Sequence, residues 1–215
     1  MAYGIQITNG SSEVIIDENN PVLVKYNGGT STYDEVKTTS FYRHSVSVGQ
    51  DDMFFVEINN GDIFMFSGVD WDDGINAINN RTSIITNRTS FNYFYAKDSN
   101  LVGVSSGGYG LEVRDGSGGL VYNSKQELVP ANGYTGSGTY SLNSGAAYVN
   151  MPFLAFSGFQ NFGFGNPTVL FYSGVERNSN QISTGCYTGD VYYSSAPPVG
   201  TNGCTFTTKY TVIQR

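Results

Sequence analysis

The stretch "YGIQITNGSSEVIID" (residues 3–17) returns in altered form as "YGLEVRDGSGGLVYN" (residues 109–123). Tyr3, Gly4, Gly10 and Ser11 recur as Tyr109, Gly110, Gly116 and Ser117. Most other positions change conservatively, Ile5 to Leu111, Ile7 to Val113, Asn9 to Asp115 and Ile15 to Val121 among them. A second echo lies at the same offset of 106, where "IFMFSGVD" (63–70) and "VLFYSGVE" (169–176) share Ser-Gly-Val. A weaker third, "FNYFYA" (91–96) with "FTTKYT" (206–211), has an offset of 115, which implies longer loops in the second copy. A period this long points to duplicated domains, because solenoid repeats run to ~20–50 residues. The chain therefore reads as two tandem units, 1–106 and 107–215. They meet at "KDSNLVGVSSGG" (97–108), whose Ser-Ser-Gly-Gly end has the composition of a flexible joint.

Each unit opens as a hairpin. Ile5 and Ile7 alternate with Gln6 and Thr8, the period-2 pattern of a strand with one apolar face. Asn9-Gly10 supplies residues that tolerate positive φ, and Val14-Ile15-Ile16 returns. The second copy places Leu111 and Val113 inward, Glu112 and Arg114 outward, and turns at Asp115-Gly116. Further strands are expected near 21–26, 43–48, 53–58, 62–67, 82–86 and 89–97, with a turn at Asn59-Asn60-Gly61 and a short helical turn within 71–80. In the second unit they fall near 139–142, 146–157, 167–173, 189–194 and 204–213, followed or separated by Pro/Gly loops such as 194–203. Short strands punctuated by Gly, Asn and Asp predict an all-β chain of two antiparallel β-sandwich or barrel-like domains, with about seven strands each.

Composition supports this class. Charged residues make up 13% and aromatics 14%, with 27 Gly, 16 Tyr and 14 Phe. Strand formers dominate and helix formers are scarce. Net charge is −7 and the basic residues are scattered, so nothing resembles a phosphate-binding footprint and no nucleic-acid partner is expected. No apolar run approaches the ~18 residues of a membrane span, so no membrane insertion is expected. "MAYGIQIT" lacks a basic region followed by an apolar one, so synthesis in a cytoplasm without Sec-type export is expected. On that expectation the sequons at Asn9, Asn80 and Asn87 carry no glycan.

Catalytic groups are sparse. His44 is the one histidine; it lies at a strand start and is expected to hold a surface or half-buried strand position, since a triad needs a nucleophile motif that this chain lacks. Asp70, Asp72 and Asp73 precede Gly74, and carboxylates so placed are weak candidates for a hard cation. The spacing lacks the alternation of a calcium loop, so an acidic solvated loop is the default and no metal or cofactor is expected. Asp51-Asp52 and Asp72-Asp73 are carboxylate pairs on turns, with nothing to bring either to a glycosidase cleft. Cys186 and Cys204, both in the second unit, are a candidate disulfide across the Pro/Gly loop, while cytoplasmic synthesis favours free thiols. In "MPFLAFSGFQNFGFGNPTVLFY" (151–172), Phe153 and Phe171 suit the core. Phe159, Phe162 and Phe164, set among Gly and Asn, are candidates for a subunit interface or for stacking on sugar rings.

Tyr3-Gly4-Ile5 with Asp17, and Tyr109-Gly110-Leu111 with Asn123-Ser124, resemble the Y-G-[L/I]-x-[V/I] hairpin units of a group of phage tail-region proteins. The resemblance covers about 15 residues twice, and Asn123 departs from its Asp. It implies a virion structural component of the tail tip, fibre or baseplate, made in the bacterial cytoplasm. Such a protein would assemble with other virion proteins as a homo-oligomer, trimer or higher, and could contact a host surface glycan or protein. It would not be an enzyme. A capsid decoration protein and a carbohydrate-binding module are the alternatives; an enzyme acting on host polysaccharide has least in the sequence to support it.

Overall fold

A computed structural model of the chain describes residues 5–9, 12–16, 22–37, 40–49, 51–67, 70–71, 78–79, 82–102, 110–129, 134–136, 138–143, 145–152, 158–161, 167–193, 201–202 and 209–214. The described chain is all-β apart from one 3-10 turn at Ser99–Leu101. The first half contributes β1 (Ile5–Asn9), β2 (Ser12–Ile16), β3 (Leu23–Thr32), β4 (Glu35–Val36), β5 (Tyr42–Ser45) and β6 (Met53–Glu57). It continues with β7 (Ile63–Ser67), β8 (Asp70–Trp71), β9 (Ile78–Asn79), β10 (Ser83–Thr86) and β11 (Ser90–Asp98). The second half has β12 (Glu112–Arg114), β13 (Leu120–Asn123), β14 (Glu127–Leu128), β15 (Tyr134–Gly136), β16 (Thr139–Ser141) and β17 (Ala147–Asn150). It ends with β18 (Gly158–Asn161), β19 (Pro167–Asn178), β20 (Gln181–Tyr193), β21 (Thr201–Asn202) and β22 (Tyr210–Gln214).

The echoed stretches form the expected hairpins. β1 pairs with β2 from Ile5↔Ile16 to Asn9↔Ser12, and β12 pairs with β13 across a bulge at Val113/Arg114. Each hairpin is a two-stranded sheet of its own. The second is closed by Asp115, whose Oδ1 accepts from the Ser117 and Gly119 amides at 2.8 and 2.7 Å and from the Ser117 hydroxyl at 2.7 Å. The Ser117 and Gly119 bonds hold its carboxyl below the usual range. One expectation fails here. Leu111 was expected to face inward and is 46% exposed, whereas Val121 on the return strand is buried. An isolated two-stranded hairpin has little to bury a side chain against.

Apart from β8 and β9, which pair as a third two-stranded sheet, the remaining strands form two large antiparallel sheets. One runs β14-β3-β11-β6-β17-β22-β15. The other runs β16-β20-β19-β7-β10-β5-β4, with β18 and β21 beside the first part of β19. Both orders mirror about a central joint. Outward from β6/β17 lie β11 then β3 on one side, and β22 then β15 on the other. Outward from β7/β19 lie β10 then β5, and β20 then β16. The joints are Val56↔Val149 with Glu57↔Tyr148, and Phe64↔Val175 with Met65↔Gly174.

This order does not confirm a division into two tandem sandwiches at 106/107, because each sheet is continuous through both halves. The reason lies in the edges. Within the first half alone, β6 and β7 would be edge strands, yet they carry Phe54-Phe55-Val56 and Phe64-Met65-Phe66, all buried. A bare apolar edge pairs with whatever backbone is available, and here the second half supplies it.

One core fills the space between the sheets. Alternation sends Phe54 and Val56 of β6, Phe91 and Tyr95 of β11, Val149 of β17 and Val212 of β22 into it from one sheet. Phe64, Phe66, Ile84, Val175 and Ile182 meet them from the other. Each buried Phe or Val contributes roughly 1.5–3 kcal/mol. Tyr210, 1% exposed on β22, brings its hydroxyl within 2.8 Å of the Gly138 carbonyl and 3.0 Å of that of Ile182 on the opposite sheet. The outer faces are apolar too, with Phe55, Phe94, Ala96 and Ile213 clustered on one sheet and Met65, Ile85 and Tyr172 on the other.

The predicted turn after β6 carries the chain from one sheet to the other and knits the halves together. Gly61 adopts φ +81°, and the Asp62 amide donates to the Asn59 carbonyl at 3.0 Å. Arg177 of the second half donates through Nη1 to the Ile58 carbonyl at 2.9 Å. Its carbonyl accepts from the Gly61 amide at 2.8 Å, and the Ser179 amide donates to Asn60 Oδ1 at 2.7 Å. The Asp62 carboxylate accepts from the Asn59 amide at 2.7 Å and pairs with Arg88 Nε.

The helical turn expected within 71–80 is, where described, the paired bridge of β8 and β9; residues 72–77 lie outside the described residues. β3 runs well past the expected 21–26, through Asn27-Gly28-Gly29-Thr30, because β11 offers it a partner over its whole length.

Candidate functional site

His44 sits on β5 as expected, but it is fully buried rather than at the surface or half-buried, because both ring nitrogens find partners. Its Nε2 lies 2.9 Å from the Arg88 carbonyl and its Nδ1 3.0 Å from the Ser31 hydroxyl. A carbonyl only accepts, so Nε2 carries the proton and Nδ1 accepts from Ser31. Burial pushes the imidazole pKa below 6.5, against weaker opposing effects from the Arg88 carbonyl and Asp34. The ring packs 4.6 Å from that of Phe91. Both nitrogens are engaged in holding β5 to its neighbours.

The other sequence candidates are dispersed. Asp70 opens β8; Asp72 and Asp73 lie outside the described residues, and no metal-holding cluster occurs among those described. Cys186, on β20, is disulfide-bonded, and Cys204 lies outside the described residues. Phe159 is on β18; Phe162, Phe164 and Phe153 lie outside the described residues, and Phe171 is half-buried.

Asp51 is exposed, but Asp52 belongs to a compact charged cluster at the bulge of β3. The register breaks between Tyr95 and Ala96, leaving Tyr26 as the extra residue. A bulge re-aims its side chain, and here the Tyr26 ring has the Lys97 ammonium 4.6 Å from its centre. Lys97 Nζ is 2.9 Å from Asp52 Oδ1, and the Gly49 amide donates to Asp52 Oδ2 at 3.0 Å. Burial raises the Asp52 pKa, but hydrogen bonds from Lys97, Tyr26 and Gly49 outweigh it and hold the carboxyl below its usual value. Burial, together with the bond to Asp52, pushes the Tyr26 phenol up to about 12. A carboxylate held below its usual value in this way is a poor general base.

Among the described residues, a concave feature lies on the outer face of the first large sheet. It is a groove of about 390 Å³. The register builds it. Thr30↔Asn92 and Gly28↔Phe94 are direct partners across β3 and β11, and Phe94↔Phe55 continues the second row into β6. Glu57 stands opposite Tyr148 on β17. One transverse row is therefore polar: the Thr30 hydroxyl donates to Asn92 Oδ1 at 2.8 Å, and Asn92 Nδ2 donates to Glu57 Oε2 at 2.7 Å. The adjoining row is aromatic, with Phe94 stacked on Phe55 at 5.0 Å and edge-on to Tyr148 at 5.1 Å. Gly28, at the β3 end of the aromatic row, leaves a hollow there. A Cβ there would lie 2.7 Å from the Tyr93 carbonyl and 3.1 Å from Phe94 Cβ, so close strand approach excludes a side chain. Lys25 closes one end, paired with Glu127 at 3.2 Å and 5.6 Å from the Phe94 ring centre.

Comparison of the chain with protein-family models, with curated proteins and with solved structures finds no match. The groove is thus read from its own chemistry. Sequence reasoning missed it because its lining residues come from three strands, β3, β11 and β17, spread over both halves. The one local signal was Asn27-Gly28-Gly29-Thr30, an interruption that reads as a turn.

Proposed function

We propose that this chain is a phage virion structural protein of the tail region (tip, fibre or baseplate), assembling with other virion proteins and acting by contact rather than catalysis. The observation that carries this reading is the doubled Tyr-Gly-[Ile/Leu] hairpin, which resembles the units of phage tail-region proteins. Both hairpins stand as small sheets apart from the two large ones. The mirrored strand order supports an origin by internal duplication, in which two copies of one unit merged edge to edge. A large continuous double sheet suits a particle component, whose stability rests on sheet packing and extensive interfaces. The low charged fraction and scattered basic residues fit a protein partner better than a nucleic acid. We expect a homo-oligomer, trimer or higher, within the virion.

The test is mass spectrometry of purified virions together with immunogold labelling. The chain should be present in the particle, with label on the tail. Label on the head would assign a capsid decoration protein instead, and absence from the particle would overturn the reading.

A further inference from the structure

We propose that the outer-face groove between β3, β11 and β17 is a binding site for a neutral saccharide. Three features carry the inference, and none depends on a place in a virion.

The first is the polar row. Thr30, Asn92 and Glu57 form a directional chain in which each donor proton is assigned: Thr30 to Asn92 and Asn92 to Glu57. This fixes the Asn92 amide orientation and leaves one Nδ2 hydrogen, Glu57 Oε1 and the Thr30 lone pairs unused among the described residues. Thr30 and Asn92 are exposed. A donor beside acceptors suits adjacent hydroxyls on a sugar ring, each of which donates and accepts. Planar amide and carboxylate groups held rigid by a sheet lose little freedom on binding.

The second is the aromatic wall. Tyr148 is half-buried and lines the groove beside Phe94. An aromatic ring next to a polar row suits the two-sided character of a pyranose, apolar on its C–H face and polar at its rim. The glycine gap keeps the hollow open, and its volume falls in the range of small-molecule sites.

The third is charge. The ammonium of Lys25 already pairs with Glu127, Glu57 stands at the polar row, and the chain carries −7 overall. A phosphorylated or carboxylated sugar would meet two carboxylates and a cation already engaged, so the neutral class is favoured.

The experiment uses the full chain. It is screened against an array of neutral hexose and N-acetylhexosamine oligosaccharides alongside sialylated and phosphorylated ones, and the best binder is then titrated by calorimetry. Gly28→Ser would fill the hollow but, given the close Tyr93 carbonyl, can also disrupt the sheet. Asn92→Ala and Thr30→Val are therefore the deciding variants, because both sites are exposed and thermal unfolding can verify the fold. The expected result is binding of a neutral oligosaccharide, weakened roughly tenfold or more by Asn92→Ala and by Thr30→Val with melting of both variants unchanged. Binding that all variants retain, binding confined to anionic glycans, or no neutral binding at about 5 mM would each overturn the proposal.

Discussion

Removing Arg88 should destabilise this protein more than removing the aspartate it pairs with. The Asp62 side chain is 2% exposed and that of Arg88 is 44% exposed. Arg88→Ala leaves a buried carboxylate with the Asn59 amide as its remaining donor, and it also removes the 3.3 Å bond from Nη2 to the Asn60 carbonyl. Breaking a buried pair from one side costs ~3–5 kcal/mol. Because the arginine end is half-solvated, the lower figure applies, about 3 kcal/mol. In Asp62→Ala the guanidinium returns to water, and the loss is chiefly the Asn59 bond and the exchanged ion pair, about 1–2 kcal/mol. The double variant should lie close to Asp62→Ala, since no charge is then left buried. For a chain of this size each kcal/mol moves Tm by ~2–4 °C, so Arg88→Ala should melt about 6–12 °C lower. Urea unfolding at pH 7 followed by far-ultraviolet circular dichroism gives the three free energies. An Arg88→Ala variant within about 0.5 kcal/mol of the parent would refute the reasoning, as would an Asp62→Ala variant less stable than Arg88→Ala.

Two further predictions concern stability. The His44 pKa is lowered in the fold, so below about 6.5 the unfolded chain binds the proton more readily than the folded one. Stability should therefore be level above neutral pH and decline as pH falls from 6.5 toward the folded value. Unfolding midpoints measured at pH 7.5, 6.5 and 5.5 should show that decline, and His44→Gln should reduce it. At the joint between halves, a Cβ on Gly174 would lie 2.7 Å from the Phe64 carbonyl and 3.0 Å from both Met65 Cγ and Tyr187 Cδ2. Gly174→Ala should cost about 1–3 kcal/mol. Gly116→Ala, with nothing within 4 Å, should stay within about 0.5 kcal/mol and serves as the control.

The strands themselves were legible because short apolar runs are local. Met53–Glu57 and Ile63–Ser67 announce strands but, being apolar on both faces, not which side is inner, and Asn59-Asn60-Gly61 announces its turn. Pairing was not legible. Val56 meets Val149 and Phe64 meets Val175 through edges that any apolar strand could satisfy, so nothing near β6 or β7 says which partner arrives. The reach of β3 through Gly28-Gly29 was hidden for a related reason: glycine weakens a strand on its own, and only β11 alongside restores it. The groove inherits both gaps, since Thr30, Asn92, Glu57 and Tyr148 line up only once four strands are in register. His44 was read correctly as a strand residue, but its lock between Ser31 and Arg88 required the tertiary structure.

The mirrored sheets also impose a schedule on synthesis. When β6 and β7 have left the ribosome they have no outer neighbours, and the strands that will cover them, β17 and β19, are still about a hundred residues of translation from complete. At ~5–20 residues per second that interval is about 5–20 s, long compared with the microseconds in which hairpins form. Two neighbouring nascent chains on one messenger would each present the same pair of phenylalanine-rich edges. The cell must keep those edges apart until each chain's own second half arrives, so yield should depend on how fast, and how sparsely, the message is translated.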